Sequence, residues 1–116
     1  MSESTSTSKD PSSNIDRRRL LNILAALDSE PRLKIIQALR GSHGKTIKTL
    51  ASLLGLTHSA ASEHARILRS VGAVNGVLVD PDDLRTVYQR LNEDLVVTDE
   101  QGRGWMDFGV LKVRLD

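Results

Sequence analysis

The sequence contains no cysteine. Disulfides, zinc ribbons and thiolate metal sites are therefore excluded, and the composition fits a reducing compartment. Aromatic residues are almost as scarce: Trp105, Tyr88 and Phe108 are the whole set. A core for 116 residues must then come from Leu, Ile, Val and Ala, which suits packed helices in one modest domain. No apolar run approaches the roughly 20 residues needed to span a bilayer. The opening MSESTSTSKDPSSN has no apolar stretch and is not expected to act as a signal peptide. There is no glycine-rich phosphate loop and no paired-carboxylate geometry, so catalysis is not expected. Asp107-Phe108-Gly109 has the letters of a kinase magnesium motif but none of its companion segments.

Charge is uninformative in total and informative in distribution. The net value is +1. Residues 17–72 carry ten Lys/Arg against Asp28, Glu30 and Glu63, a net of +7. The segments on either side are acidic, −2 over residues 1–16 and −4 over residues 73–116. A basic block between acidic flanks predicts a polyanion partner for that block, although Lys and Arg also coat solvated helix faces.

Inside the basic block lies TIKTLASLLGLTHSAASEHARILRSVG, residues 46–72. Ile47, Leu50, Ala51 and Leu54 recur on one helical face. Gly55 follows, where a left-handed residue can end a helix. Thr57 or Ser59 can cap a second helix, whose buried stripe is Ala61, Ala65 and Leu68 with Ile67 and Val71 beside it. Helix, tight glycine turn, helix is the helix-turn-helix layout.

Around this stretch the chain divides readily. Residues 1–13 hold eight Ser/Thr and one Pro and are expected to be a disordered tail. Asn14 or Asp16 can cap a first helix carrying Leu20, Leu21, Ile23, Leu24, Ala25 and Leu27. That apolar surface is either core alone or half core and half subunit interface, and its width favours a dimer contact through Leu20, Leu21 and Leu24. Ser29-Glu30-Pro31 begins the next helix, with Leu33, Ile36 and Leu39 expected inward and Gly41 as its stop. His43 reads as a solvated loop residue. Residues 73–79 and 85–91 are β-rich runs flanking Asp80-Pro81-Asp82-Asp83, a β-hairpin after the second helix of the motif. Its acidic tip leaves Arg85 or Arg90 as its available phosphate contacts. Leu95–Val97 and Trp105–Leu115 predict a C-terminal β-hairpin. A β-bulge near Gly109 would bring Met106, Phe108, Leu111, Val113 and Leu115 to one side, and a strand buried on both faces is the alternative.

Three segments resemble the ArsR-type winged-helix transcriptional regulators: LDSEPRLKIIQAL, TLASLLGLTHSAASEHARILRSVGAV and RTVYQRLN, within residues 27–92. The resemblance implies a mainly α fold with small β content (α+β). A winged helix-turn-helix would span residues 14–92, and the C-terminal β-hairpin, residues 93–116, would pack on the same domain or at a dimer interface. It implies a cytoplasmic, nucleoid-associated homodimer binding a double-stranded DNA operator, as a repressor, through a recognition helix of about residues 58–71. Thr57, His58, Ser59, Ala60, Ser62, Glu63, His64 and Arg66 are the implied recognition residues, with Lys45, Lys48 and Arg85 as flanking cations. Short Ser59 and Ser62 let a helix sit deep in a groove, Ala60 suits a thymine methyl, and His64 and Arg66 can donate to DNA acceptors. Glu63 departs from the family pattern. It must accept from a cytosine amino group or pair with Arg66. Thr46 and Lys48 stand where metal-sensing members carry a Cys-x-Cys pair, and no histidine follows His64, so no metal or cofactor is expected. The alternative function is a winged helix for protein–protein assembly, favoured by the acidic wing and Glu63.

Overall fold

The structure, a computed structural model, describes residues 11–115, with side chains from Asp16 onward. Four helices come first: α1 (Pro11–Leu27), α2 (Glu30–Leu39), α3 (Ile47–Leu54) and α4 (His58–Ser70). The strands β1 (Val74–Val77) and β2 (Tyr88–Leu91) pair antiparallel as the wing. A 3-10 turn (Glu93–Leu95) leads to β3 (Val96–Thr98), β4 (Gly104–Asp107) and β5 (Lys112–Arg114). These form a separate antiparallel sheet of order β3-β4-β5. The architecture is an α+β winged helix-turn-helix.

Three sequence expectations change. Helix α1 covers Pro11–Leu27 of the described residues, so Asn14 and Asp16 lie inside it and do not cap it, and residues 11–13 of the expected tail are helical. A proline suits a helix's first turn, where its missing N–H has no partner to lose. The rest of the tail lies outside the described residues. In α2 the buried residues are Ile35, Ile36 and Leu39, whereas Leu33 is 39% exposed. Leu33 borders an apolar cleft of about 200 Å³ together with Leu27, Met106 and Val113. The third change is at the C-terminus. Trp105–Leu115 is not one bulged strand, nor one strand buried on both faces. It is two strands, β4 and β5, and the chain reverses between Asp107 and Lys112. Gly109 takes φ 87°, its N–H is held by Asp107 Oδ1 at 2.9 Å, and Phe108 N–H donates to Leu111 O at 2.8 Å. The C-terminal sheet is thus a three-stranded meander and not a two-stranded hairpin.

One core joins all the elements. Ile23 of α1, Ile35, Ile36 and Leu39 of α2, Leu50 of α3 and Leu68 of α4 meet Val74 and Leu91 of the wing. Met106, Phe108 and Leu115 of the C-terminal sheet belong to the same cluster. The sheet borders α1 and α2, where Met106, Phe108 and Val113 line a cleft with Leu27 and Ile36. Among the described side chains of α1, from Asp16 onward, Ile23 and Ala26 are fully buried; Leu20 and Leu27 are half-buried, and Leu21 and Leu24 remain 58% and 44% exposed.

Candidate nucleic-acid interface

The motif is set by local chemistry at its turn. Gly55 lies in the left-handed region, φ 66° and ψ 33°, and ends α3, where a side chain would strain the backbone. Thr57 is the N-cap of α4, and its hydroxyl accepts from Ala60 N–H at 3.1 Å. The choice between Thr57 and Ser59 is resolved in favour of Thr57, which leaves Ser59 an exposed first-turn residue. Thr46 caps α3 in the same way, accepting from Thr49 N–H at 3.1 Å.

Helix α4 presents three kinds of surface. Ala61, Ala65 and Leu68 are buried against the core. His58, Ser59, Glu63 and Arg66 are exposed, and Ser62 is half-buried among them. Ala60 and His64 are half-buried along the flank that turns toward α1 and α2. His64 is thus at the edge of the exposed face, and its ring is already engaged. Its Nδ1 lies 3.0 Å from Arg32 Nη1. A guanidinium has no acceptor atom, so Nδ1 must accept and the proton of a neutral ring sits on Nε2.

Arg66 is also engaged. Its Nε and Nη2 donate to Glu63 Oε1 and Oε2 at 2.8 and 2.6 Å, a bidentate pair one helical turn apart. Hydrogen bonding from Arg66 holds the Glu63 carboxyl below its ordinary range and, reciprocally, Glu63 raises the guanidinium. Of the two sequence readings for Glu63, pairing with Arg66 is the one realised in this structure.

The flanking cations are spread around the helix. Lys48 is exposed on α3. Lys45 is half-buried and pairs through its backbone with Gln89, Lys45 N to Gln89 O at 2.9 Å and Gln89 N to Lys45 O at 2.7 Å. Arg85 is exposed on the wing loop, with its backbone N–H bound to Asp83 Oδ1 at 3.0 Å. Arg90 is occupied elsewhere, donating to the carbonyl of His43 at 2.9 and 2.6 Å. Arg17, Arg18 and Arg19 are exposed on α1.

Two residues that sequence reasoning passed over hold this face in place. Gln89 is 2% exposed, and its Oε1 accepts from Arg69 Nη1 of α4 at 2.8 Å. It ties the wing to the helix while its backbone ties the wing to Lys45. Strand alternation puts Gln89 on the same face as buried Leu91, and that parity was the available signal. Arg32 is the other, and its bond to His64 spans thirty-two positions, which no local pattern records.

The wing strands are shorter than the β-rich runs suggest, four residues each. Asp83 organises the loop between them by accepting from the N–H groups of Arg85 and Thr86 and from the Thr86 hydroxyl. Those bonds, the hydroxyl first, hold its carboxyl below the usual range. The tip presents Asp80, Asp82 and Leu84, the last 74% exposed, to solvent. Among the described residues no three of His, Asp and Glu gather closely enough to hold a metal ion, and no helix is long and apolar enough to cross a membrane.

The model for bacterial regulatory proteins of the arsR family matches residues 29–75. That span takes in α2, the helix-turn-helix and the entry to the wing. HlyU from Vibrio cholerae is 31% identical, with 65% of this chain and 76% of that one aligned at a TM-score of 0.55. The homodimeric winged helix-turn-helix DNA-binding domain of Mb0332 from Mycobacterium bovis, a possible ArsR-family transcriptional regulator, is 22% identical over 74% of this chain and 75% of that one, TM-score 0.63. RV1404 from Mycobacterium tuberculosis is 20% identical over 86% and 67%, TM-score 0.50. No curated protein matches the chain.

Proposed function

Because the chain belongs to the arsR family of bacterial regulatory proteins, we propose that it is a homodimeric, sequence-specific DNA-binding repressor whose α4 helices enter successive major grooves of an operator. The observation that carries this is the exposed face of α4. His58, Ser59, Ser62, Glu63 and Arg66 stand clear of the core on a helix capped by Thr57 and fixed on both flanks. Ser59 and Ser62 keep that face low enough to approach base edges, and the Nε2–H of His64 is a donor for a phosphate or a purine acceptor. Lys48, Lys45 and the α1 arginines supply the surrounding charge, which sets affinity without reading sequence. Arg85 offers a weak wing contact, since three neighbouring aspartates offset it.

Dimerisation through α1 is part of the same proposal. Leu21 and Leu24 are large apolar side chains left at the surface of a helix whose other face is core. The homodimeric state of the Mb0332 domain supports pairing in this fold. Repression follows from occupancy: a dimer seated on two adjacent major grooves excludes other proteins from that DNA.

A second reading is favoured by one observation, the acidic wing tip with its exposed Leu84, which suits a protein surface better than a phosphate backbone. A selection of bound duplexes from a random library separates the two. Enrichment of a two-fold-symmetric site supports the repressor. No retardation of any duplex by micromolar protein at low salt assigns the helix to protein assembly, because non-specific phosphate contacts alone give measurable binding.

A further inference from the structure

The Arg32 side chain bonds both α1 and α4. It projects from the first turn of α2, where its own backbone N–H is held by the cap Ser29 Oγ at 3.3 Å. Its Nε donates to Ala26 O, and its Nη2 reaches Ala25 O at 3.4 Å. Both carbonyls belong to the last turn of α1, where helix ends carry unpaired acceptors and favour a cation. The remaining arm, Nη1, donates to His64 Nδ1 on α4 at 3.0 Å. A planar guanidinium holds its donors in a rigid fork, so fixing two arms on α1 aims the third. Beside this clamp the packing is not dense. Asn22, Ala25 and Arg32 line an open cleft with Ile67 and Val71, so apolar contact alone does not set the angle between α1 and α4.

We propose that Arg32 is a positioning residue that sets the angle of α4 relative to α1, and thereby the spacing of half-sites a dimer accepts. The inference rests on the DNA-binding reading above. If two copies pair along the α1 face bearing Leu21 and Leu24, the separation of their α4 helices depends on how each α4 is held to its own α1. One inserted base pair moves two half-sites apart by about 3.4 Å and rotates them by about 35°. A rigid dimer cannot follow that change, whereas a dimer with a loosened α1–α4 joint can. Arg32 itself need not touch DNA.

The test uses the full chain and duplexes carrying the selected half-sites at the preferred spacing and at one base pair more or less. The wild-type protein is expected to lose affinity by about tenfold at each wrong spacing, the scale of one charged hydrogen bond or one mismatched contact. Arg32→Met and Arg32→Lys are expected to narrow that preference to within about threefold. Lysine keeps the charge at the α1 carbonyls and so preserves the fold, but one ammonium cannot also reach His64. A single half-site duplex should bind the variants and the wild type alike. The proposal is overturned if Arg32→Lys keeps the wild-type spacing preference, or if both variants lose the same factor at every spacing. A wild-type protein that binds its site yet ignores spacing overturns this inference alone. A wild-type protein that binds no duplex overturns the DNA-binding reading and this inference with it.

Discussion

Replacing Glu63 by Gln should make the protein bind DNA more tightly and more salt-dependently. The pair it breaks is exposed on both sides, 59% for the Arg66 side chain and 56% for Glu63, so solvent screens it and folding should barely change. What changes is the charge on the groove face. Glu63 takes the Nε and Nη2 edge of Arg66 at 2.8 and 2.6 Å, so the guanidinium is neutralised and turned along the helix, and any phosphate it meets also meets a carboxylate. Glutamine has the same shape and no charge, and Arg66 becomes available. One new phosphate contact steepens the dependence of log K on log salt by about 0.9, and a dimer with two Arg66 side chains gains about 1.8. The advantage of the variant should therefore shrink by roughly twelvefold between 50 and 200 mM salt. Fluorescence anisotropy on a random duplex across that range measures both slopes. An unchanged slope refutes the argument, because it means Arg66 does not contact phosphate even when released. Tighter binding to random duplex with weaker binding to the selected site would show that Glu63 also reads a base.

Asp99 gathers the β3–β4 turn by accepting from Trp105 Nε1, the N–H groups of Gln101 and Arg103, and Arg103 Nε. These bonds, that of Trp105 first, lower its carboxyl to about 2 from an ordinary 3.8. A depressed carboxylate stabilises the fold above its unfolded value and loses that contribution as pH falls through its folded value. The C-terminal sheet should then loosen between about pH 4 and pH 2, read from Trp105 fluorescence, and Asp99→Asn should flatten this window. Leu21→Glu combined with Leu24→Glu should leave thermal stability nearly unchanged and shift sedimentation toward a monomer; an unaltered assembly would place the dimer contact off α1. Leu50→Ala, at a fully buried position under the motif, should cost about 2–5 kcal/mol in denaturant unfolding. Thr57→Ala should cost about 1 kcal/mol by freeing the Ala60 N–H, with DNA affinity falling in proportion to frayed α4; a cost near zero would show that Thr57 does not act as the cap.

The helix-turn-helix was legible in the sequence because its determinants are local. The apolar recurrence of Leu50, Ala51 and Leu54, the stop at Gly55 and a hydroxyl cap at Thr57 or Ser59 all act within one or two helical turns. The division of charge was legible because it needs only counting. The C-terminal segment shows where such reasoning stops. Met106 and Phe108 are out of phase with Leu111, Val113 and Leu115, and a β-bulge restores the phase as well as a chain reversal does. Choosing between them requires knowing which strand pairs with which. The pairing of Met106 with both Val96 and Val113 makes it a reversal.

What the sequence by itself determined is the four helices, the wing and the inward stripes of α3 and α4, since helical periodicity writes burial directly into residue order. It also determined the composition of the candidate recognition surface, because Ser59, Ser62, Glu63 and Arg66 cannot be buried on a helix whose core stripe is Ala61, Ala65 and Leu68. Only the tertiary structure decided which of those side chains are already spoken for. Arg66 is held by Glu63 from its own helix, which the spacing allowed but did not require. His64 is held by Arg32 from another helix, and Gln89 locks Arg69 to the wing. Such contacts depend on the distances between elements, and those distances are products of packing that no stretch of residues contains.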